Sequence, residues 1–227
     1  MNNQLSFSSL VLAALVGNAS AAVSFAEDFS SNTAGPNMAL GTGIGAIATD
    51  FTGDFTISSS NNDRIYLGTY DADYSTVDFV FQAMVTVVAG SAWNSAFFGM
   101  GADDANSSFY GEPTTGSNLV MVLRPDVGYA NTRDNAFVGT NPLSGTVAGT
   151  HLVTMTWNST TMSATFDWDQ GNNGSVDHTF MLDGSDNGFT AANSQLFLGG
   201  GGGVTFDNIS VAAAPEPSST ALLGLGG

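Results

Sequence analysis

Apolar and polar residues alternate through most of this chain. In TMSATFDW, Met162, Ala164, Phe166 and Trp168 fall in one phase and Thr161, Ser163, Thr165 and Asp167 in the other. That two-residue period marks a strand with one buried face. HLVTMTW just before it puts Val153, Met155 and Trp157 on one side, and Asn158 to Thr160 turns the chain. VDHTFML follows the DQGNNG loop, with Val176, His178, Phe180 and Leu182 in one phase, so the three segments predict a meander.

Upstream, VDFVFQAMVTVVAG predicts a long strand with Val77, Phe79, Phe81, Ala83, Val85 and Val87 in phase. SAFFGMG, NLVMVLRP and NAFVGT follow as short strands, and VTFDNISV at 204–211 is the last. Gly, Asn, Asp and Pro clusters separate them. The glycines Gly199 to Gly203 read as a bent loop within the domain. No segment beyond the first twenty-odd residues has a helical period. Many short antiparallel strands at this spacing predict an all-β, two-sheet antiparallel β-sandwich of the jelly-roll kind.

Composition narrows the partners. The 227 residues suit one such domain, and 43% hydrophobic residues suffice for a core. Twenty acidic residues face only Arg64, Arg124 and Arg133, a net charge of −17. Nucleic acid and anionic membrane surfaces are therefore excluded as expected partners, since both draw on clustered cations, while scattered carboxylates suit divalent cations. With no Cys there are neither disulfides nor thiolate metal sites, and two histidines, His151 and His178, make a zinc enzyme a poor fit.

The front of the chain carries an apolar run, Leu10 to Val16, then Ala19-Ser20-Ala21, a small-x-small cleavage pattern. This predicts a signal peptide over 1–21, a sandwich over 22–211 and a linker-like tail over 212–227. The expected location is outside the cytoplasm.

Few motifs carry chemistry. GTGIG at Gly41 to Gly45 lacks the spacing and the following helix of a phosphate loop, and no G-x-S-x-G is present. The carboxylate pair that glycoside hydrolysis requires has no E-x-D-x-x-E counterpart here, so no catalytic residue is assigned. DWDQGNNGSVD is the most metal-like stretch. With Asp169 as first ligand, Asn173 is fifth, Gly174 takes the sharp-turn sixth place and Asp177 is ninth, as in a calcium loop; Gly171 and Phe180 break the pattern at positions three and twelve. A hairpin turn explains the same residues. Of the tryptophans, Trp157 and Trp168 are in phase with the core, which leaves Trp93, in GSAWNS, as the candidate platform for a sugar ring.

AVSFAEDFSS, NDRIYLGTYDADYSTVDFVF, VTFDNISV and the tail PEPSSTALLGLGG together resemble bacterial PEP-CTERM proteins with a concanavalin A-like lectin/glucanase (laminin-G-like) jelly roll. The sorting motif is Pro215-Glu216-Pro217. The resemblance implies export in a Gram-negative bacterium, processing by an exosortase-type machinery, transient membrane contact through the tail, and association with exopolysaccharide. The apolar part after the motif, Ala221 to Gly227, is shorter than a membrane span, so the sorting segment is expected to be truncated. The resemblance also implies a structural calcium where first and last strands meet, which falls on Asp28 and Asp207. The expected function is an exported, non-catalytic cell-surface or matrix protein that binds extracellular polysaccharide weakly. The alternatives are a purely structural surface component and a glucanase-like enzyme.

Overall fold

The computed structural model describes residues 25–28, 38–40, 49–50, 54–57, 63–67, 73–90, 95–101, 118–125, 128–131, 137–138, 147–190 and 194–214. Their strands are β1 (Phe25–Glu27), β2 (Met38–Leu40), β3 (Thr49–Asp50), β4 (Phe55–Ile57) and β5 (Asp63–Leu67). Next come β6 (Phe79–Val87), β7 (Ala96–Gly101), β8 (Asn118–Leu123), β9 (Gly128–Asn131) and β10 (Phe137–Val138). The last are β11 (Gly149–Asn158), β12 (Ser163–Asp169), β13 (His178–Asp183), β14 (Gln195–Gly200) and β15 (Val204–Ala213). Two single 3₁₀ turns, Tyr74–Thr76 and Ser185–Asn187, are the helical pieces among the described residues.

The strands form two sheets, and every pairing is antiparallel. The eight-stranded sheet runs β13-β12-β11-β6-β15-β4-β3, with β1 sharing the far edge of β15 with β4. The seven-stranded sheet runs β10-β9-β8-β7-β14-β5-β2. The fold is thus the expected all-β sandwich, and the meander is β11-β12-β13.

Alternation explains the layering. Phe79, Phe81, Ala83, Val85 and Val87 of β6 are all buried, and the residues between them are partly exposed. Val153, Met155 and Trp157 of β11 and Ala164, Phe166 and Trp168 of β12 point the same way. They meet Ala96, Phe98 and Met100 of β7, Leu119, Met121 and Leu123 of β8, and Leu196 and Leu198 of β14 in one core. Phe81 stacks on Phe98 across the gap, ring centroids 4.1 Å apart and planes 22° from parallel.

In the seven-stranded sheet, β7, β8 and β14 are buried on both faces. Phe97, Val120, Val122 and Phe197 face away from the main core and form a second buried cluster. This is why SAFFGMG and NLVMVLRP read as continuous apolar runs. Gly99 permits the close approach of β8, since a Cβ there would lie 2.1 Å from the Leu119 carbonyl oxygen.

Two sequence expectations shift. Val176 lies in the loop before β13 and is 57% exposed, so it is not an inward strand position. Gly199 and Gly200 belong to β14, and the tight turn is Gly201–Gly203, with positive φ at Gly202 and Gly203. Both shifts have one cause: the ladder ends where neighbouring strands end, which a periodicity cannot reveal.

Replacing Phe81 by Ala removes the cross-sheet stack from a site with no solvent access. Urea unfolding of Phe81→Ala is expected to show a loss of about 3–5 kcal/mol, and a loss under about 1 kcal/mol would mean that the contact does not hold the sheets together.

Candidate functional site

Asp169 ends β12 in the outward phase, yet it is only 4% exposed. The loop closes over it. Its Oδ1 accepts from the Asn173 amide and its Oδ2 from the Gly174 amide, each at 2.8 Å. Asp177 N–H donates to the Trp168 carbonyl at 2.9 Å, and Asp177 Oδ2 accepts from Gln170 N–H at 2.8 Å. Gly171, Asn172 and Gly174 take φ of 85°, 51° and 88°, conformations that favour Gly and Asn. Phe180, the twelfth residue of the calcium-loop count, points into the core.

His151 supports this loop from inside the sandwich. It is buried in the inward phase of β11, with Nε2 2.6 Å from the Val147 carbonyl and Nδ1 accepting from Gly171 N–H at 3.3 Å. These partners assign the neutral ring with its proton on Nε2. The ring stands edge-on to Trp168 at 5.4 Å, and Trp168 lies 5.1 Å from His178 on its other side. Burial pulls the His151 pKa below its usual 6.5, against smaller upward pulls from the Val147 carbonyl and the Asp169 charge.

At the other end of the same sheet face, β15 bulges between Asp207 and Ser210. Asn208 sits in the bulge with φ 48° and projects its amide outward. Asp207 Oδ1 accepts from Asn208 N–H at 2.7 Å and its Oδ2 from Asn208 Nδ2 at 3.0 Å. The first and last strands do pair, with Glu27 opposite Ile209. This places Asp28 beside the bulge, where Ala26, Asp28, Asn208, Ile209 and Ser210 line a shallow open depression.

Register joins the two regions. Asp207 pairs with Met84, Met84 with Leu152, and Leu152 with Asp169. The expected calcium residues Asp207 and Asp169 therefore share one cross-strand rung of the outer face. They are three strand spacings apart, about 14 Å, too far to share an ion. Among the described residues no three acidic or imidazole side chains gather as a metal cage. Between them, Met84 is flanked by both asparagines, its Sδ 3.2 Å from Asn208 Nδ2 and 3.9 Å from Asn172 Nδ2. The next rung carries Thr205, Thr86 and Thr150, the last two hydroxyls 2.8 Å apart.

The result is a half-exposed apolar floor, Met84 and Leu152, rimmed by amides, hydroxyls and a carboxylate. Sequence reasoning did not single out Met84, Asn172 or Asn208. One signal was present: Met84 is an apolar residue in the polar phase of its strand, between Gln82 and Thr86. Trp157 and Trp168 are fully buried and offer no platform. Trp93, the Ala19 and Ala21 cleavage pattern and the Pro215-Glu216-Pro217 motif lie outside the described residues.

No family model and no curated protein matches the sequence. Solved structures match the fold. The chain is similar to lectin I-B4 from Griffonia simplicifolia in its metal-free form, with TM-score 0.61 and 12% identity over 85% of this chain and 99% of that one. Arcelin-5, a lectin-like defence protein from Phaseolus vulgaris, gives TM-score 0.58 and 10% identity over 84% and 97%. The GH43 protein BlXynB from Bacillus licheniformis gives 0.59 and 8%, over 83% of this chain but 39% of that one. These neighbours establish the fold, a two-sheet antiparallel jelly-roll sandwich.

Two outcomes follow from the loop. Because His151 is held neutral when folded, the unfolded chain binds the extra proton first, and stability is expected to fall as pH drops below about 6.5. Comparing urea midpoints of wild type and His151→Gln across pH 7 to 5 checks this; equal slopes would remove His151 as the cause. Asp169→Ala leaves two loop amides without their carboxylate and is expected to cost about 3 kcal/mol, in EDTA as much as in calcium. A loss seen only with calcium would make the ion, not the amides, the partner of Asp169.

Proposed function

We propose that this chain is a non-catalytic carbohydrate-binding protein that works outside the cell on neutral polysaccharide, through the Met84 face of its eight-stranded sheet. The observation that carries the reading is the sandwich itself, which superposes on nearly the whole length of lectin chains. The face suits a sugar chemically. The C–H side of a pyranose packs on Met84 and Leu152, while its hydroxyls meet Asn172, Asn208 and the Thr86–Thr150 pair. The net charge of −17 opposes anionic glycans and favours neutral ones.

The face is flat, and each hydrogen bond replaces one to water, a net gain near 1 kcal/mol. Single sugars therefore bind weakly, and a repeating polymer gains by engaging several copies at once. Export rests on the signal-like front and the sorting-like tail, with an exosortase-type machinery as the processing partner. Calcium belongs to this reading as an ion that Asp207 and Asp28 would hold at the bulge; with so few carboxylates, backbone carbonyls and water would supply the rest of its oxygen ligands.

Affinity electrophoresis through neutral polysaccharide gels tests the site. Wild type is expected to be retarded, and Asn208→Gly and Asn172→Gly, which keep the positive φ but remove the amides, to run freely at unchanged melting temperature. A folded wild type that no neutral polysaccharide retards would overturn glycan binding and leave the structural surface role. Release of reducing ends from the same gels would overturn the non-catalytic assignment.

A further inference from the structure

The sequence contains two Asn-Gly pairs, Asn173-Gly174 and Asn187-Gly188, and the fold treats them in opposite ways. Asn187 is 4% exposed in a 3₁₀ turn, and its Nδ2 donates to the Asn118 carbonyl at 3.2 Å. Asn173 is exposed at the crest of the Asp169–Asp177 loop. Its Oδ1 accepts from Ser175 N–H at 3.0 Å, an Asx turn that folds the side-chain amide back over the following peptide. That following peptide nitrogen, Gly174 N, donates to Asp169 Oδ2 at 2.8 Å. Asn173 and Gly174 are both exposed, and a Cβ built on Gly174 meets nothing within 4 Å, so water reaches this link.

This set of contacts has the parts of an intramolecular acyl transfer. The nucleophile is Gly174 N, and a nine-tenths buried carboxylate already accepts a hydrogen bond from its N–H. The electrophile is Asn173 Cγ, and a backbone N–H already polarises its oxygen. General-base removal of the proton and a donor at the developing oxyanion are the two devices that speed such a step.

We propose that Asn173 is a self-modification site, where Asp169 and Ser175 N–H promote conversion of the Asn173-Gly174 link to aspartyl and isoaspartyl forms. Gly174 N bonds to Asn173 Cγ as its proton passes to Asp169. The tetrahedral oxyanion at Oδ1 is held by Ser175 N–H. Collapse breaks the bond from Cγ to Nδ2, and the departing nitrogen takes the proton from Asp169 and leaves as ammonia. One water then opens the five-membered imide at either carbonyl. The sum is amide plus water giving carboxylate plus ammonium, with no oxidant or reductant. The product adds a carboxylate at position 173, between Asp169 and Asp177. In the isoaspartyl form it also lengthens the backbone and draws Gly174 N–H off Asp169.

The test is an incubation of the full chain at neutral pH, followed by peptide mapping with isoaspartyl methyltransferase labelling. In native wild type, position 173 is expected to convert while Asn187 stays intact; in urea both pairs convert alike. Asp169→Asn is expected to slow conversion at 173 by at least about tenfold. A merely structural Asp169 predicts the reverse, since a looser loop would convert faster. Native wild type that keeps Asn173 intact while the urea-unfolded chain converts it would overturn the proposal whether or not the variant folds. So would an Asp169→Asn protein that folds and converts as fast as wild type.

Discussion

The stack of Phe81 on Phe98 fixes the distance between the two sheets, and the rest of the molecule is arranged around that distance. With no cysteine and only three arginines, neither disulfides nor a network of ion pairs can substitute for it. β6 supplies one side of the stack and is paired along both edges, by β11 and by β15. Its five inward residues are buried without exception. Any register slip of one residue would turn all five to water. The register of the whole eight-stranded sheet is thereby set from its centre outward.

A fixed register makes the outer face a consequence of the inner one. Once Phe81, Ala83 and Val85 face inward, Met84 must face outward. Its neighbours on the rung are then Asp207 on one side and Leu152 on the other. The asparagines that flank Met84 come from the β12–β13 loop and the β15 bulge, and each holds a positive φ that few other residues tolerate. His151 links the layers. It belongs to the inward phase of β11, yet its Nδ1 receives the amide of Gly171, one residue before Asn172. An outward-facing amide is thus positioned by a buried imidazole.

The sandwich and its core were largely legible in the sequence, because burial on one face writes a period of two directly into strands such as 163–169. Trp157, Trp168 and Phe180 are buried as their phase implied. The loop was legible as a choice between hairpin and ion site, and its hydrogen bonds show how backbone amides take up the carboxylate of Asp169. The Met84 face was not legible. Met84, Asn172 and Asn208 are far apart in the chain, and only the pairings of β6 with β11 and β15 bring them together. A bulge such as that at Asp207 shifts register without any change in composition. Periodicity reports which way a residue faces, never which strand lies beside it.

The acidity of the chain also takes on a structural meaning. A protein with twenty acidic residues and three arginines has too few cations of its own to pair with most of its carboxylates. Among the described residues, turn amides and hydroxyls take up several of them. Asp169 takes the amides of Asn173 and Gly174, Asp78 takes the amide and hydroxyl of Ser159, Asp73 takes the amide of Ser75, and Asp167 takes the Thr179 hydroxyl. Hydrogen bonds from neutral donors to ionised oxygens are strong and short, and they are less sensitive to salt than surface ion pairs, which screening weakens. Added salt therefore relieves the self-repulsion of a chain at −17 without loosening the contacts that hold its turns. The Ser, Thr, Asn and Gly residues that serve these carboxylates, Ser75, Ser159, Asn173, Gly174 and Thr179, supply a hydroxyl or an unhindered amide where a less acidic protein would place a lysine.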